Sequence, residues 1–534
     1  MLVCRVAAYL TFLLISAPFW YHLAHGSNAY LGLLDSDYFY YATIADRLMT
    51  EGRLTFDGVS LTNGFQPLWL LAVTGLRMVC GSFGVAFYVA LTALSFAAMV
   101  ATYQLSAKLA RLLGTSAERA AVLAVVYSTS TARLLSAGTE TTLAVPLLLW
   151  LLVEIARAAA VTPGRAAKLG FVASLGVLAR VDSAIAVALA VGGFIWFERP
   201  SIWRLSRLLA TFAIGGLLVP AYVAASMWMF RTPLPMSTLA RRLYSAGISM
   251  AYGRSVAFTT VYGPTIAFVL PLGLAAMFML RRRRQEGTVS PRALFAAAVA
   301  LGFAVLFFFL QALPGWTFFD RDAYPIAAAS LSALALATQP ELGWLPRRPV
   351  TVAVAAFVVA LQPLLATRYY MEHGPWWSLT DNTLLAASYD VAHYMKDREG
   401  VYAMGANAGT VSYVSGTPVL QLEGGVSDKH LLNRIKREDP LDVPLRENGV
   451  DYLIVSTAAA PVARRDGCYE VTQPATEWAG TRTRKMRGEI CDEPIARFVT
   501  AASGNAWGRF PNMETLIWDV HHARWRSPGY VTGK

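Results

Sequence analysis

Charged residues are scarce in this sequence. They make up 15% of its 534 residues, whereas hydrophobic residues make up 55% and the mean hydropathy is +0.44; soluble globular proteins carry about 25% charged residues. The scarcity is uneven, because residues 1–367 hold 41 of the charged residues and residues 368–534 hold 39. The first two thirds therefore has the composition of a membrane protein and the last third that of a soluble domain, which excludes a soluble cytosolic enzyme and a disordered protein.

The net charge of +12 lies in the apolar part of the chain. Residues 368–534 contain 19 Lys or Arg and 20 Asp or Glu, so the whole excess belongs to residues 1–367. In a membrane-like segment, positive charge sets topology and contacts lipid headgroups. This location excludes a nucleic-acid-binding protein.

Long hydrophobic runs recur along residues 1–367. A bilayer core about 30 Å thick requires about 20 apolar residues per helix, and no small-x-small cleavage site follows the first run, which predicts an uncleaved anchor. The predicted spans lie near residues 6–24, 83–105, 117–136, 142–158, 167–180, 183–197, 207–230, 259–280, 292–312, 323–338 and 350–367. The sequence therefore predicts an α-helical polytopic membrane domain of about eleven transmembrane helices over 1–367, followed by a soluble extracytoplasmic α/β domain over 368–534.

The apolar stretch 67–80 is short and interrupted by Arg77, which favours an interfacial helix over a span. With this assignment, the basic residues of five connections fall on one side of the membrane: Lys108/Arg111/Arg119, Arg157/Arg165/Lys168, Arg199/Arg204/Arg207, Arg281 to Arg284, and Arg347/Arg348. Positive charge marks the cytoplasmic face. The loops 25–66 and 231–258 and the whole tail 368–534 are therefore predicted to lie on the external side.

The tail has the pattern of a small α/β module. An amphipathic helix near 382–397 precedes strands near 401–404, 417–422 and 451–456. Cys468 and Cys491 are able to form a disulfide in an oxidising compartment. Cys4 and Cys80 lie at membrane depth or its edge, where packing is their expected role.

Two features of the tail have a structural and a ligand-binding interpretation. The Gly405–Gly409 turn is able to cradle a phosphate but lacks the spacing of a nucleotide fingerprint, so a structural turn is favoured. His521 and His522 have no cysteine or carboxylate at ligand spacing, so surface positions are favoured over metal binding.

The first external loop is the richest candidate for chemistry. Asp35 and Asp37 are followed by four aromatic residues, Tyr38 to Tyr41, where the loop meets the bilayer. An aspartate there is able to take a proton from an acceptor hydroxyl or bind a divalent ion, and aromatic rings stack on sugar or polyprenyl groups. The alternative is a solvated loop start with an aromatic interface belt.

Further polar residues fall on the same outer face, where charges at the membrane edge are functional candidates. They are Asp57, the turn Thr62-Asn63-Gly64 before Pro67, Glu140, Arg180 with Asp182, and Asp320-Arg321-Asp322 with Tyr324. An active site at the membrane surface requires such convergence from distant parts of the chain.

The order of these motifs resembles that of bacterial GT-C membrane glycosyltransferases, polytopic enzymes that use polyprenyl-phosphate sugars, such as the arabinofuranosyltransferases and, more loosely, the protein O-mannosyltransferases and the lipid A aminoarabinose transferase. The matching residues are Asp37 with its aromatics, Phe56-Asp57-Gly58, Thr62-Asn63-Gly64 with Pro67-Leu68-Trp69, Gly138 with Glu140-Thr141, Arg180 with Asp182, and Arg321 with Tyr324-Pro325. Two positions depart from the family pattern. Ser36 precedes Asp37 where the family often has a second acid, and Gln66 precedes Pro67 where it often has His.

The resemblance implies inverting transfer of a single sugar from a polyprenyl-phosphate donor to an acceptor hydroxyl of a glycan, lipid or protein, at the external face of a bacterial cytoplasmic membrane. Asp37 is then the general base, and Asp35 is the second catalytic candidate. No cofactor is required, and a divalent cation (Mg or Mn) bound by these two acids is the alternative.

The leaving phosphate needs a cationic clamp. The resemblance makes Arg321 and Arg180 the first candidates, followed by Arg241 and Arg242, for which contact with anionic headgroups is the alternative. Glu140 and Asp182 are expected to orient these arginines or to bind sugar hydroxyls. The predicted substrate site is completed by Asn63, Gln66, Trp69 and Tyr324.

Two other functions compete with this hypothesis. A transporter or flippase for lipid-linked glycans is expected to show inverted repeats and ionisable residues near helix centres, whereas this sequence has no internal repeat and its candidates cluster at outer helix ends. A non-catalytic assembly protein of the cell envelope would use the tail to bind a partner. The enzyme hypothesis requires Asp37, Arg180 and Arg321 to meet in one pocket.

Overall fold

The computed structural model describes residues 34–157, 161–198, 200–244, 289–312, 322, 324–337, 383–458, 464–465, 467–474, 484–500 and 513–526, with a few single residues elsewhere. The helices of the first part are α1 (Ser36–Glu51), α2 (Pro67–Cys80), α3 (Val85–Leu112), α4 (Ala117–Ser136), α5 (Thr141–Ala156), α6 (Pro163–Ala179), α7 (Ala184–Glu198), α8 (Ile202–Gly215), α9 (Leu218–Phe230), α10 (Met236–Tyr244), α11 (Pro291–Ala312) and α12 (Tyr324–Ala337). A short 3-10 turn, Val181–Ser183, connects α6 to α7.

Two of the described helices are long and apolar enough to cross a membrane, α3 and α11 over Pro291–Leu310. The predicted interfacial helix 67–80 coincides with α2, which has Pro67 at its first position, where the missing N–H costs no hydrogen bond. The predicted spans near 6–24, 259–280 and 350–367 lie outside the described residues, apart from single positions. The number of eleven spans therefore stays a prediction.

The span predicted over 207–230 is broken in the middle, although its two halves together are apolar and long enough for one span. Two helices occupy this stretch, α8 and α9, and they meet at an angle of 58°. The cause lies in the glycines at the junction, because a Cβ atom on Gly215 would overlap the carbonyl oxygen of Ala167 in α6. Glycine allows this close approach of two backbones and is a common site of helix kinks.

The loop predicted over 25–66 contains a 16-residue helix, α1. Asp35 caps its N-terminus, since its carboxylate accepts a hydrogen bond of 3.0 Å from the Asp37 N–H. The aromatic side chains Tyr38, Phe39 and Tyr41 are buried in the core of the protein. Most of this aromatic run therefore packs internally and does not form a belt at the membrane interface.

The C-terminal part forms a small α/β domain with two sheets. Its elements are α13 (Thr383–Lys396), β1 (Tyr402–Met404), α14 (Ala408–Ser415), β2 (Val419–Gln421), α15 (Lys429–Arg437), α16 (Asp442–Glu447), β3 (Tyr452–Ala458), β4 (Arg464–Arg465), β5 (Cys468–Gln473), β6 (Met486–Ile490), β7 (Ala496–Thr500), β8 (Met513–Asp519) and β9 (Trp525–Arg526). The helix and the three strands predicted in this region coincide with α13, β1, β2 and β3 to within two residues.

One sheet has the strand order β2-β1-β3-β8-β7, in which β1 pairs in parallel with β2 and β3, and β8 pairs antiparallel to β3 and β7. The other sheet has the order β4-β5-β6-β9 and is antiparallel. Cys468, at the start of β5, forms a disulfide with Cys491, which follows β6. This is the pair expected from the sequence.

The sheet domain is packed directly on α1 and the segment before α2. Tyr38 and Phe39 of α1 share one hydrophobic core with Val411 of α14 and Tyr402 of β1. The hydroxyl of Thr62 donates a hydrogen bond of 3.0 Å to the Ser427 carbonyl. The two parts of the chain therefore share buried surface at the N-terminal end of α1, where the candidate residues lie.

Candidate active site

Arg180 is the centre of a buried ionic cluster. It is only 3% exposed, and its guanidinium bonds to carboxylates from three different segments. Nη2 lies 2.8 Å from an oxygen of Asp182 and 2.8 Å from an oxygen of Asp322, and Nη1 lies 3.3 Å from Glu140. One positive charge is thus shared by three acidic side chains, all in or near the connections between helices.

The backbone around Arg180 explains why its side chain reaches this cluster. Helix α6 ends at Ala179, and Arg180 is in an extended conformation with a φ of −149°. The 3-10 turn that follows holds Asp182 close enough for its carboxylate to bond both Nε and Nη2 of the same arginine. The Arg-x-Asp spacing therefore produces a local ion pair at the break between two helices.

Tyr324 extends the cluster from the start of α12. Its hydroxyl donates a 2.7 Å hydrogen bond to Asp182 and lies 3.0 Å from the Ser183 hydroxyl. The Arg180 guanidinium lies 5.1 Å from the centre of its ring, in cation–π distance. Two of the predicted residues, Asp182 and Tyr324, are thus in direct contact although 142 positions separate them.

Tyr41 connects this cluster to α1. Its hydroxyl donates a hydrogen bond of 3.2 Å to Oε2 of Glu140, whose other oxygen bonds Arg180. The same hydroxyl accepts a hydrogen bond of 3.2 Å from the Gln66 N–H, and the Gln66 side chain accepts one of 3.3 Å from the Val181 N–H. Gln66 therefore ties α1, α2 and the Arg180 turn together.

Asp37 lies one helical turn before Tyr41, at the N-terminus of α1. The Asp35 N–H donates a hydrogen bond of 2.9 Å to the carbonyl of Ala137, three residues before Glu140. The Trp69 indole N–H donates one of 3.1 Å to the carbonyl of Gly138. The beginning of α1 is thus fixed against the segment that carries Glu140, and Asp37 is partly exposed there.

Asn63, predicted as a substrate ligand, makes internal hydrogen bonds. It is fully buried, and its amide donates to the Ser226 hydroxyl at 2.7 Å and accepts from the Met236 N–H at 3.0 Å. These bonds connect the turn before α2 to Ser226 within α9 and to Met236, the first residue of α10. Asn63 therefore positions α10, whose last turn carries Arg241 and Arg242.

Arg321 lies outside the described residues, so its predicted meeting with Asp37 and Arg180 stays a prediction. Among the residues that the structure describes, no three His, Cys, Asp or Glu side chains are grouped so as to hold a metal ion. Asp57 is buried in its own turn, where its carboxylate accepts hydrogen bonds from two backbone N–H groups. His521 and His522 lie on the surface beside Asp451 and Asp519, respectively.

One residue near the site was not expected from the sequence. Glu423 follows β2 in the sheet domain, and its negative charge acts on the phenol of Tyr40 in α1. Burial raises the pKa of Tyr40, and the charges of Glu423 and Asp37 raise this pKa further. In the sequence, the loop that carries Glu423 is marked only by the short predicted strand before it and by the pair Gly424-Gly425 after it.

Solved structures with a similar fold include two of ArnT from Cupriavidus metallidurans. The structure bound to undecaprenyl phosphate matches with a TM-score of 0.50 and 14% identity, over 86% of this chain and 92% of its own. The apo structure matches with a TM-score of 0.47 and 15% identity, over 79% and 88%. The archaeal oligosaccharyltransferase AglB from Archaeoglobus fulgidus, in complex with an inhibitory peptide and a dolichol-phosphate, matches with a TM-score of 0.42 and 11% identity, over 79% of this chain and 65% of its own.

No family model and no curated protein matches the sequence. At 14% identity the likeness to ArnT concerns the fold, and it extends over most of both chains. The chain has the fold of the ArnT structure that holds undecaprenyl phosphate, in agreement with the helical domain and C-terminal α/β domain expected from the sequence.

Proposed function

We propose that this protein is a membrane glycosyltransferase that moves one sugar from a polyprenyl-phosphate donor to an acceptor hydroxyl, with inversion at the anomeric carbon. The observation that carries the proposal is the buried cluster of Glu140, Arg180, Asp182 and Tyr324, which Tyr41 connects to α1, the helix whose first turn carries Asp37. The fold supports it, since the similar ArnT structure is bound to undecaprenyl phosphate.

In this proposal Asp37 is the general base. Its carboxylate takes the proton of the acceptor hydroxyl while the hydroxyl oxygen bonds to the anomeric carbon, and the bond from that carbon to the donor phosphate breaks. The released product is the polyprenyl phosphate. Asp35 acts as a positioning residue, because its carboxylate holds the N–H of Asp37 and so fixes the start of α1.

Arg180 takes a positioning role in place of the phosphate clamp expected from the sequence. Its guanidinium is buried and already bonded to three carboxylates, so it holds together the segments that carry them. The phosphate clamp is assigned to Arg321. Arg241 and Arg242, in the last turn of α10, are the second candidates for this role. The orientation of α10 by Asn63 links that segment to the site.

The site is proposed to open at the external face of a bacterial cytoplasmic membrane, with the sheet domain on the same side. The packing of the sheet domain on α1 supports this arrangement. Domain limits of 1–367 and 368–534 are part of the proposal. The alternative is that Asp35 and Asp37 bind a divalent cation that takes part in the reaction. Adding a chelator to the assay tests this alternative.

The experiment uses purified full-length protein in detergent or nanodiscs with a panel of polyprenyl-phosphate sugars and methyl glycoside acceptors. Asp37→Asn removes the base with little change in shape, and we expect it to reduce transfer by roughly 10²- to 10⁴-fold. Asp46→Asn is the matched control, because Asp46 lies on the same helix in a half-exposed pair with Arg77. It should transfer sugar at the wild-type rate.

Product formation is read as released polyprenyl phosphate and glycosylated acceptor. Normal transfer by Asp37→Asn contradicts the assignment of the base, and the absence of transfer by the wild-type protein from every donor contradicts the proposed function. Loss of activity in EDTA that Mg²⁺ or Mn²⁺ restores would favour the cation alternative.

A further inference from the structure

A cavity of about 930 Å³ lies between α5, α6, α7, α8 and α11, at the end of these helices that is remote from the Arg180 cluster. Glu140 of that cluster precedes α5, and Glu154, which lines the cavity, lies about 21 Å further along the same helix. Arg165 lines the cavity near the start of α6, whereas Arg180 follows the end of α6. The cavity is therefore separate from the candidate active site.

The walls of the cavity are apolar. The ring of Phe295 in α11 forms part of one wall and lies directly over Gly193 of α7, where an added Cβ atom would overlap the ring. Each of the five helices contributes aliphatic or aromatic side chains, among them Leu151, Leu169, Val191, Phe212 and Leu294. Such a lining favours a hydrocarbon ligand over a polar one.

The depth of the cavity corresponds to less than one leaflet of a bilayer. On α6 the lining extends from Arg165 to Ala173, and on α7 from Phe194 to Val187, which are distances of about 12 Å and 10 Å at the rise of an α-helix. A hydrocarbon core of about 30 Å gives each leaflet about 15 Å. A lipid chain from the nearer leaflet therefore fits along the helices, with its headgroup at their ends.

The charged residues of the cavity lie at that end. Arg165 and Arg292 line it, and Glu154 is the only acid among the described residues that do so. The Glu154 carboxylate is 2% exposed and bonds Arg157 and Lys168, each at 2.9 Å. This described group thus has four cations and one carboxylate, and its excess of positive charge is complementary to an anionic headgroup.

We propose that the cavity binds an anionic phospholipid, with one hydrocarbon chain between the five helices and its phosphate beside Arg165 and Arg292. The Nη2 atom of Arg165 donates a hydrogen bond of 2.9 Å to the Arg157 carbonyl, which holds the guanidinium at this end of the cavity. Burial of the chain and charge-assisted bonds to the phosphate both favour binding. The lipid comes from the leaflet on the basic side, which the sequence predicts to be cytoplasmic. The inference goes beyond the proposed sugar transfer and does not depend on it.

The first test measures the charge preference of the site. Full-length protein in detergent is titrated with phosphatidylglycerol or with phosphatidylcholine of the same chains, and bound lipid is counted by native mass spectrometry. We expect the wild-type protein to bind phosphatidylglycerol several-fold more tightly. Arg292→Gln should weaken this binding roughly tenfold, because a charge-assisted bond is lost. Lys108→Gln is the matched control, an exposed cation of α3 outside the lining, and should bind as the wild type.

The second test fills the cavity and leaves its charges in place. Ala190 lines the cavity on α7, so Ala190→Phe should abolish the binding of phosphatidylglycerol. Ala188→Phe is the control, since Ala188 is exposed on the same helix and lies outside the lining. Phosphatidylglycerol should raise the melting temperature of the wild type and of Ala188→Phe by mass action, but not that of Ala190→Phe. The melting temperatures without lipid show whether each variant is folded.

Competitors distinguish the phospholipid from other phosphates. Polyprenyl phosphate and inorganic phosphate are added to the complex with phosphatidylglycerol, and neither should displace the lipid at an equal concentration. Displacement by inorganic phosphate would show a site for the phosphate group alone, and displacement by polyprenyl phosphate would show a site for another lipid; either result overturns the inference. Equal binding of the two phospholipids, or undiminished binding by a folded Ala190→Phe, overturns it as well.

Discussion

At the scale of single residues, the Arg180 cluster joins one guanidinium to carboxylates from three segments of the chain. One guanidinium faces three carboxylates, from Glu140, Asp182 and Asp322, and all four side chains are at most 15% exposed. Removing charges from water is costly, and an incomplete buried cluster is worse than none because the remaining charges keep that cost without a partner. Arg180 is therefore the residue whose loss should affect this region most.

Arg180→Gln should lower the free energy of unfolding by about 3–5 kcal/mol, because it removes the guanidinium that bonds three buried carboxylates. Thermal unfolding of the purified protein, followed by circular dichroism or intrinsic fluorescence, measures the change. Arg207→Gln is the control, since Arg207 is exposed on α8 and a surface change of this kind stays within about 0.5 kcal/mol. Equal stability of the two variants would show that the cluster does not hold the site together.

The charged members of the cluster were identifiable from the sequence, but their partners were not. Glu140, Arg180 and Asp182 are conspicuous because ionisable residues are rare at membrane edges. Tyr41 was expected to face lipid or substrate, whereas it bonds Glu140 across 99 positions of sequence. Such a pairing depends on how the helices pack, and a pattern of residue types along the chain carries no information about that packing.

At the scale of elements, the junction between α1, the start of α2 and the sheet domain depends on close backbone contact. Glycine occurs on both sides of the closest approach, at Gly64 and Gly425. A Cβ atom at Gly64 would overlap the backbone of Gly425 and Val426 and so separate the two surfaces, whereas a Cβ atom at Gly425 would meet only Gln421 at ordinary contact distance. Asp37 lies in the first turn of α1, which packs on the sheet domain, so its position depends on the docking of the domain.

Gly64→Ala should destabilise the junction by about 1–3 kcal/mol, since the added methyl group overlaps backbone atoms that have no rotamer to move into. Gly75→Ala is a matched control in the adjacent helix α2, where nothing lies within 4 Å of the added atom. It should instead raise stability by about 0.5–1 kcal/mol through helix propensity. Hydrogen exchange of the backbone amides in the loop 421–427 reports on docking, and the same protection in Gly64→Ala as in the wild type contradicts this prediction.

Elements whose ends are marked by local residues such as proline and glycine were predicted well. Elements whose position depends on packing against other parts of the protein were not. Helix α2 has a proline at its start and a glycine after its end, and its bounds agree with the prediction. The break between α8 and α9 was missed because both halves are apolar and together have the length of one span. Helix α1 was missed because its aromatic side chains were assigned to the membrane surface, while they are buried against the sheet domain.

At the scale of the whole molecule, α3 separates two ends of the protein. Tyr88 in its first turn contacts Tyr413 of the sheet domain through their hydroxyl groups. The helix has 28 residues, which corresponds to a length of about 42 Å, more than the roughly 30 Å of a bilayer core. Its far end, which leads into Glu118 at the start of α4, should therefore lie on the opposite side of the membrane from the sheet domain.

This topology predicts opposite labelling of two engineered cysteines. In a protein with Cys4 and Cys80 changed to serine and the disulfide retained, Glu399→Cys should react with a membrane-impermeant maleimide in right-side-out vesicles, and Glu118→Cys should react in inverted vesicles. Both positions are exposed, so a difference in labelling reports the side of the membrane and not burial. Labelling of both cysteines from one side would contradict the arrangement. In that case α3 would not cross the bilayer, and the sheet domain would share one compartment with the basic connections.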